Sequence, residues 1–225
     1  MDVAVVTVGD ELLAGETENT NASWLGRRLT EQGVDVRRMV VVPDERSVIA
    51  DTVRRLAAAF DAVIVTGGLG PTHDDVTVDG VADAFDLAMT EHPEAAAWFD
   101  EHEEYARQDL VSGTMDLPEG AEMIPNDEGV APGAIVENVY VLPGVPSEMR
   151  AMFDRIVDEF SGTPPTTEVV HIDAPESSIV DVISAVDERF DVRVGSYPND
   201  GVRIKLTAAN AEEVAAAAAW LRDRV

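Results

Sequence analysis

The chain has 225 residues, 45% of them hydrophobic, enough to bury a full core in one large domain with a small one beside it. Its 44 acidic residues outnumber 16 basic ones and Lys205 is the sole lysine, so a formal charge of -28 opposes the basic surface that nucleic acid requires. The absence of cysteine excludes disulfides, thiol nucleophiles and cysteine-held metal sites, and the lack of a membrane-length apolar run or a signal-type leader predicts a cytoplasmic protein.

Val3 to Val8 reads as a buried strand ending at Gly9-Asp10-Glu11. A loop through Gly15 to Asn19-Thr20-Asn21 leads to a helix with Ala22, Leu25 and Leu29 on one face, stopped by Gly33. Val34 to Val42 is a second strand closed by Pro43, and Asp44 is placed to cap a helix carrying Val48, Ile49, Val53, Leu56 and Phe60. Ala62 to Val65 is a third strand. It feeds the glycine-rich turn Thr66 to Asp75 and a helix with Val78, Val81, Ala82 and Phe85 at helical spacing.

Glu91 to Arg107 is expected to be a long acidic helix, with Glu101, Glu103 and Glu104 on a solvated face. Short strands are predicted over Ala121–Ile124, Ala134–Glu137 and Val139–Leu142, with Asn126 to Gly133 as a loop between the first two. Leu142 to Glu148 opens a helix whose inner face holds Met149, Met152, Phe153, Ile156 and Phe160. The linker is Ser161 to Pro165. Beyond it a β-α-β-β-α unit restarts: a strand to Ile172, a helix with Ile179, Val182, Ile183 and Val186, a hairpin turning at Pro198 to Gly201, and an alanine-rich helix from Ala211. The alternation of strands and helices predicts an α/β fold with a doubly wound, mostly parallel sheet, followed by a small α+β domain.

Such sheets bind ligands beyond the carboxyl ends of their strands, so Gly9-Asp10-Glu11 and Gly67-Gly68 are expected to share a crevice. Gly67, Gly68, Leu69, Gly70 and Thr72 stand where a strand turns into a helix, a place that presents backbone N–H groups to phosphate. The plain alternative is a tight turn that needs glycine. The spacing matches neither the lysine-bearing phosphate loop nor the dinucleotide G-x-G-x-x-G. The plain reading of Asp74 and Asp75 is a helix cap, and of Asp10 and Glu11 a solvated surface; as four carboxylates on one crevice they would suit a hard divalent ion such as Mg, Mn or Co beside a diphosphate, with Asp10, Asp74 and Asp75 positioning the attacking water. Asn21, Gly144, Ser147 and Glu148 are expected to reach the ligand from across the crevice, although Asn21, Ser147 and Glu148 would serve equally as helix-end residues. His73 is read as a general base or an exposed loop residue, and His92, His102 and His171 as surface residues.

The motifs Gly9 to Gly15, Asn19 to Ala22, Thr66 to Asp75, Asn126 to Gly133 and Leu142 to Met149, taken in order, resemble the amino-terminal portion of the competence/damage-inducible CinA family. Glu176 to Ile179 and Gly195 to Pro198 are similar to that family's KH-type module. The resemblance implies a MoaB/Mog-like molybdopterin- or nucleotide-binding domain over 1–162 and a small KH-type domain over 166–225. It also implies metal-dependent hydrolysis of ADP-ribose-type nucleotides or, as in cofactor synthesis, molybdopterin binding and adenylylation. A non-catalytic nucleotide-binding protein is the third reading. Many such proteins continue into a deamidase domain; this sequence ends at Val225 without it, so that activity is not expected. No G-x-x-G loop follows Pro165, so the small domain is expected to be structural and the protein a homo-oligomer that binds a small molecule, with neither nucleic acid nor membrane as partner. The acidic surface is expected of a halophile.

Overall fold

The computed structural model describes residues 1–70, 75–101, 114–199 and 201–225. The chain divides into two compact units, Met1–Gly162 and Thr163–Val225.

In the first unit, β1 (Asp2–Val8) leads into a one-turn helix, α1 (Asp10–Leu13), where a strand end and loop are predicted. With β1, the elements α2 (Thr20–Glu31), β2 (Asp35–Val42), α3 (Arg46–Ala57), β3 (Ala62–Thr66) and α4 (Thr77–Ala84) follow the predicted alternation. Then come β4 (Met89–Glu91), α5 (Pro93–Glu101), β5 (Asp116–Pro118), β6 (Glu122–Ile124), β7 (Gly133–Val136), β8 (Val139–Leu142) and α6 (Pro146–Ile156). Six strands form one sheet in the order β2-β1-β3-β8-β7-β6. The first four run parallel, and β7 and β6 add antiparallel pairs at one edge. This is the expected mostly parallel α/β sheet.

Helices cover both faces, and strand alternation decides which residue faces which layer. Ala4, Val6, Val63 and Val65 pack with Ile49, Val53 and Val81 of α3 and α4. Val3, Val5, Ala62 and Ile64 point the other way, toward Leu25 and Leu29 of α2 and Met149 and Phe153 of α6. Strands buried on both faces are uniformly apolar for that reason. Phe153 is the pivot of the second layer: it stacks on Phe160 at 5.5 Å between ring centroids and meets Trp24 edge-on at 5.5 Å.

Three expectations need correction. Glu91 does not begin a helix; it ends β4, which pairs with β5, and His92 continues that pairing with its N–H to the Met115 carbonyl at 2.9 Å. The cause is Pro93, which holds the residue before it extended and starts α5 at the position where a missing amide costs nothing. Asp44 does not cap α3; Glu45 occupies the cap position. His92 is not a plain surface residue, since its Nε2 lies 3.1 Å from the Ala121 carbonyl oxygen and its Nδ1 is buried. His102 and the rest of the predicted acidic helix after Glu101 lie outside the described residues.

The second unit contains β9 (Thr166–Ile172), α7 (Val180–Arg189), β10 (Arg193–Asn199), β11 (Gly201–Ala208) and α8 (Ala211–Arg222). Its antiparallel sheet runs β10-β11-β9. Val170, Ile172, Ile204 and Leu206 share a core with Val186, Val214, Ala218 and Leu221 of the two helices. Asn210 caps α8 by accepting the Glu212 N–H at 2.9 Å.

Truncating Phe153, which is fully buried, should cost about 3–5 kcal/mol, because the two rings it touches cannot close the cavity. Urea denaturation of Phe153→Ala checks this, and a loss below about 1 kcal/mol would remove the ring from the centre of the layer. A second, smaller effect depends on pH. Arg46 joins α3 to α4 through Asp79 at 3.0 Å and Asp83 at 2.7 Å, and its hydrogen bond holds the Asp83 carboxyl below its ordinary value. A carboxyl lowered in the folded state stabilises above its unfolded pKa and stops doing so as pH falls through the folded value. Wild type should therefore exceed Asp83→Asn in stability at neutral pH, and the gap should close in acid; a gap independent of pH would refute the pairing.

Candidate functional site

The turns that follow the parallel strands meet at one end of the sheet. After β3 the chain reverses at Gly67, whose φ of +111° suits glycine, and a Cβ there would lie 2.2 Å from the Val8 carbonyl oxygen. The turn of β3 and the end of β1 therefore touch backbone to backbone. Gly68, at φ +60°, lies against α4: a Cβ would stand 2.4 Å from the Thr77 Oγ1. The Asp75 carboxylate lies close over Gly70, whose Cβ position is 2.6 Å from Oδ2.

A polar node fastens these turns to α2 and α6. The Asn21 amide Nδ2 donates to the Gly144 carbonyl at 2.7 Å and to the Thr66 hydroxyl at 3.3 Å, and that hydroxyl donates to the Pro143 carbonyl at 2.6 Å. Gly67 N–H closes onto the Leu142 carbonyl at 3.2 Å. One residue pair earlier, Asn19 caps α2 by accepting the Ala22 N–H at 3.0 Å while its own amide donates to the Thr7 hydroxyl at 2.8 Å. Both asparagines are thus bound to threonines at strand ends.

The node borders a crevice of about 120 Å³, whose walls include Glu11, Asn19, Asn21, Thr66, Gly67 and Gly144. Among the described residues no lysine or arginine lines it. The Asn21 Oδ1 is buried and has no hydrogen-bond partner among the described residues, and the same is true of the Thr77 Oγ1 beside Gly68. An unsatisfied buried acceptor costs about 1–3 kcal/mol, so Asn21 holds a position that a donor group on a ligand would relieve.

The expected site residues are placed as follows. Asn21, Gly67, Gly144 and Glu11 meet at the crevice. Asp10 is exposed, and its backbone N–H donates to the Asp44 Oδ2 at 2.9 Å. Asp44 also comes near Gly68, whose Cβ position is 3.5 Å from its Oδ1. Gly68, Gly70 and Asp75 therefore border the α4 side of the same strand ends. Leu69 is a core residue, packed with the α3 and α4 layer. Ser147 is exposed at the start of α6. The Glu148 carboxylate is engaged elsewhere: it accepts the Asn126 Nδ2 at 2.8 Å and lies over Gly129, so it orders the Asn126–Gly133 loop. Thr72, His73 and Asp74 lie outside the described residues.

Asp44 and Thr77 are the residues near the site that sequence reasoning passed over. Asp44 was assigned to a helix cap, yet it follows β2 just as Asp10 follows β1, and the strand-end rule applied to every strand would have found it. Of the expected divalent-ion set, Asp10, Glu11 and Asp75 lie among the described residues and Asp74 outside them. Among the described residues no three His, Cys, Asp or Glu side chains gather to hold a metal.

Removing the amide of Asn21 should cost about 1–2 kcal/mol through its two lost hydrogen bonds. Gly67→Ala should cost more, since the added methyl meets backbone that cannot rotate away. Chemical denaturation of both variants tests the order; an Asn21→Ala variant with an unchanged midpoint would mean that the node does not hold the turns together.

Residues 4–162 match the family described as "Probable molybdopterin binding domain". Residues 164–225 match "FAD synthase, middle domain", where a KH-type module was expected. A protein of Archaeoglobus fulgidus is 39% identical over 216 residues, covering 95% of this chain and 93% of its own length. A CinA-like protein of Citrifermentans bemidjiense is 34% identical over 246 residues; the match takes in 100% of this chain and 58% of that protein. The crystal structure of the protein CinA with unknown function from Thermoplasma acidophilum superposes with a TM-score of 0.66 at 37% identity, covering 71% of this chain and 97% of that one. On the strength of the match over 4–162, this chain belongs to the molybdopterin-binding-domain family, with CinA-like proteins among its relatives.

Proposed function

We propose that the crevice at the strand ends binds one end of a phosphate-bearing nucleotide or pterin, and that the protein hydrolyses the anhydride of ADP-ribose-type nucleotides. The observation that carries the binding part is the buried, unpartnered Asn21 Oδ1 on a residue of the crevice wall, beside a turn whose two left-handed glycines bring backbone close to any ligand. At about 120 Å³ the enclosed part is smaller than the 300 Å³ or more typical of whole-ligand sites, so it takes one end of the molecule. A hydroxyl or amino group would donate to Asn21, and the phosphates would lie along Gly67 to Gly70.

Hydrolysis in this reading is an in-line attack by water. A new phosphorus–oxygen bond forms on the adenylate phosphorus, the bond to the bridging oxygen breaks, and AMP and ribose phosphate leave. Asp75 takes the proton of the attacking water, with Asp10 at the neighbouring strand end as the second carboxylate. Positioning and charge stabilisation supply most of the rate in such transfers. A divalent ion belongs to this reading as a component to be tested. Where it binds, its contribution is to neutralise the diphosphate and lower the pKa of a bound water.

Molybdopterin binding and adenylylation is the second reading, favoured by the family match over residues 4–162. The two separate in one assay: AMP release from ADP-ribose in molar potassium chloride, with and without Mg²⁺, Mn²⁺ or Co²⁺. Metal-dependent AMP is the expected result, and Asp75→Asn should lower turnover at least about 100-fold, the scale of a lost general base. Turnover at the wild-type rate in that variant would remove Asp75 from its role. No AMP from the folded protein, together with retained molybdopterin, would replace hydrolysis by the second reading.

A further inference from the structure

In a strongly acidic chain, the outward face of the small unit's sheet carries basic side chains. One face of its sheet is covered by α7 and α8, and the other bears the outward residues of β9, β10 and β11. Tyr197, Arg203 and His171 are direct cross-strand partners in one row, and Gly195 and Lys205 pair in the next row on the same face. All three members of the first row are exposed, and so is Lys205. In a sequence with 44 acidic residues against 16 basic ones, a merely solvated face would carry carboxylates. These positions carry cations instead, and neither Arg203 nor Lys205 forms an ion pair among the described residues.

The first row opens onto a recess of about 580 Å³, lined by His171, Asp173, Tyr197, Pro198 and Arg203 among others. The Tyr197 ring leans along its strand over Gly195, where a Cβ would come 2.9 Å from the ring edge. Glycine therefore gives the ring its seat. The Arg203 guanidinium stands over the ring, 5.2 Å from its centroid, and the tyrosine as a whole remains 46% exposed. Two strand spacings of about 4.8 Å separate the outer members of the row, so it spans roughly 10 Å. An aromatic platform and two cationic or protonatable groups stand in that row, and Asp173 adds a carboxylate to the lining of the recess.

We propose that this recess binds a nucleoside phosphate, with the base on Tyr197, the ribose hydroxyls donating to Asp173, and the phosphate against Arg203 and His171. Aromatic planes take any base by stacking, whereas a guanidinium matches the oxygens of phosphate. The charge of the whole chain disfavours a polyanion at long range, and the row is as long as one nucleotide. A single nucleotide is the occupant favoured over a nucleic acid strand. All of these residues belong to the second unit, and the proposal stands independently of the hydrolysis proposed for the first.

Photolabelling of the full chain with azido-AMP, followed by peptide mapping, tests the assignment. Label is expected on the hairpin of β10 and β11, and unlabelled AMP should displace it while inorganic phosphate at equal concentration does not. Arg203→Glu and Tyr197→Ala should each weaken labelling about tenfold, a change of about 1.4 kcal/mol in binding, and Tyr197→Phe should preserve it. Both positions are exposed, and an unchanged melting temperature verifies that the variants fold. Label confined to the first unit, or hairpin label indifferent to both substitutions, would overturn the proposal. Displacement by a single-stranded oligonucleotide but not by AMP would overturn it in favour of nucleic acid. Hairpin labelling without AMP release from ADP-ribose would leave this site standing and remove only the hydrolytic reading.

Discussion

Close backbone contact between Val8 and Gly67 is the constraint on which the rest of the first unit depends. Parallel neighbours β1 and β3 end level with each other, and their following turns have room to coexist only because Gly67 has no side chain and adopts φ +111°. With that approach fixed, Thr66 is presented so that its hydroxyl reaches Pro143 and receives the Asn21 amide. Four segments far apart in sequence are thereby joined at one point: the end of β1, the start of α2, the end of β3 and the entry to α6. The crevice is the space left beside that junction.

The node also explains the division of labour among polar side chains. Asn19 and Asn21 are two residues apart, but Asn19 spends its oxygen on the α2 cap, whereas the Asn21 oxygen is left buried and unpartnered. Their amides both bind threonine hydroxyls at strand ends, so α2 is fixed at two adjacent strands. Glu148 follows the same economy in the opposite sense. Its carboxylate is consumed by Asn126 and the loop over Gly129, which makes it a support for the antiparallel edge of the sheet. A buried Asn126, 2% exposed, needs that acceptor.

Much of the fold was legible in the sequence because its signals are local and repeated. Val3 to Val8 and Ala62 to Val65 are apolar without interruption, as strands covered on both faces must be, and the helices between them show their inner faces at regular spacing. The short strand β5 and the extended ending of β4 were not legible. Their pairing joins residues separated by more than 20 positions, and three residues are too few to display a period. In the site, glycines at a strand end were visible as such, but Asp44 was not, because Asp before a helix carries a capping signal that the structure overrides: its carboxylate accepts the Asp10 backbone N–H.

Charge shows the same contrast between the two levels. Composition alone fixes an acidic chain without cysteine, and local pattern fixes a parallel-stranded first unit with glycine turns at its strand ends and a β-α-β-β-α second unit. Tertiary structure alone decides that Asn21 and Thr66, 45 residues apart, share a hydrogen bond, and that His171, Arg203 and Tyr197 stand side by side on one face. The reason is physical. Periodicity and capping depend on neighbours within a few residues, which the sequence states directly, whereas a site depends on strand register and on the approach of turns, which are set only when the whole core has closed.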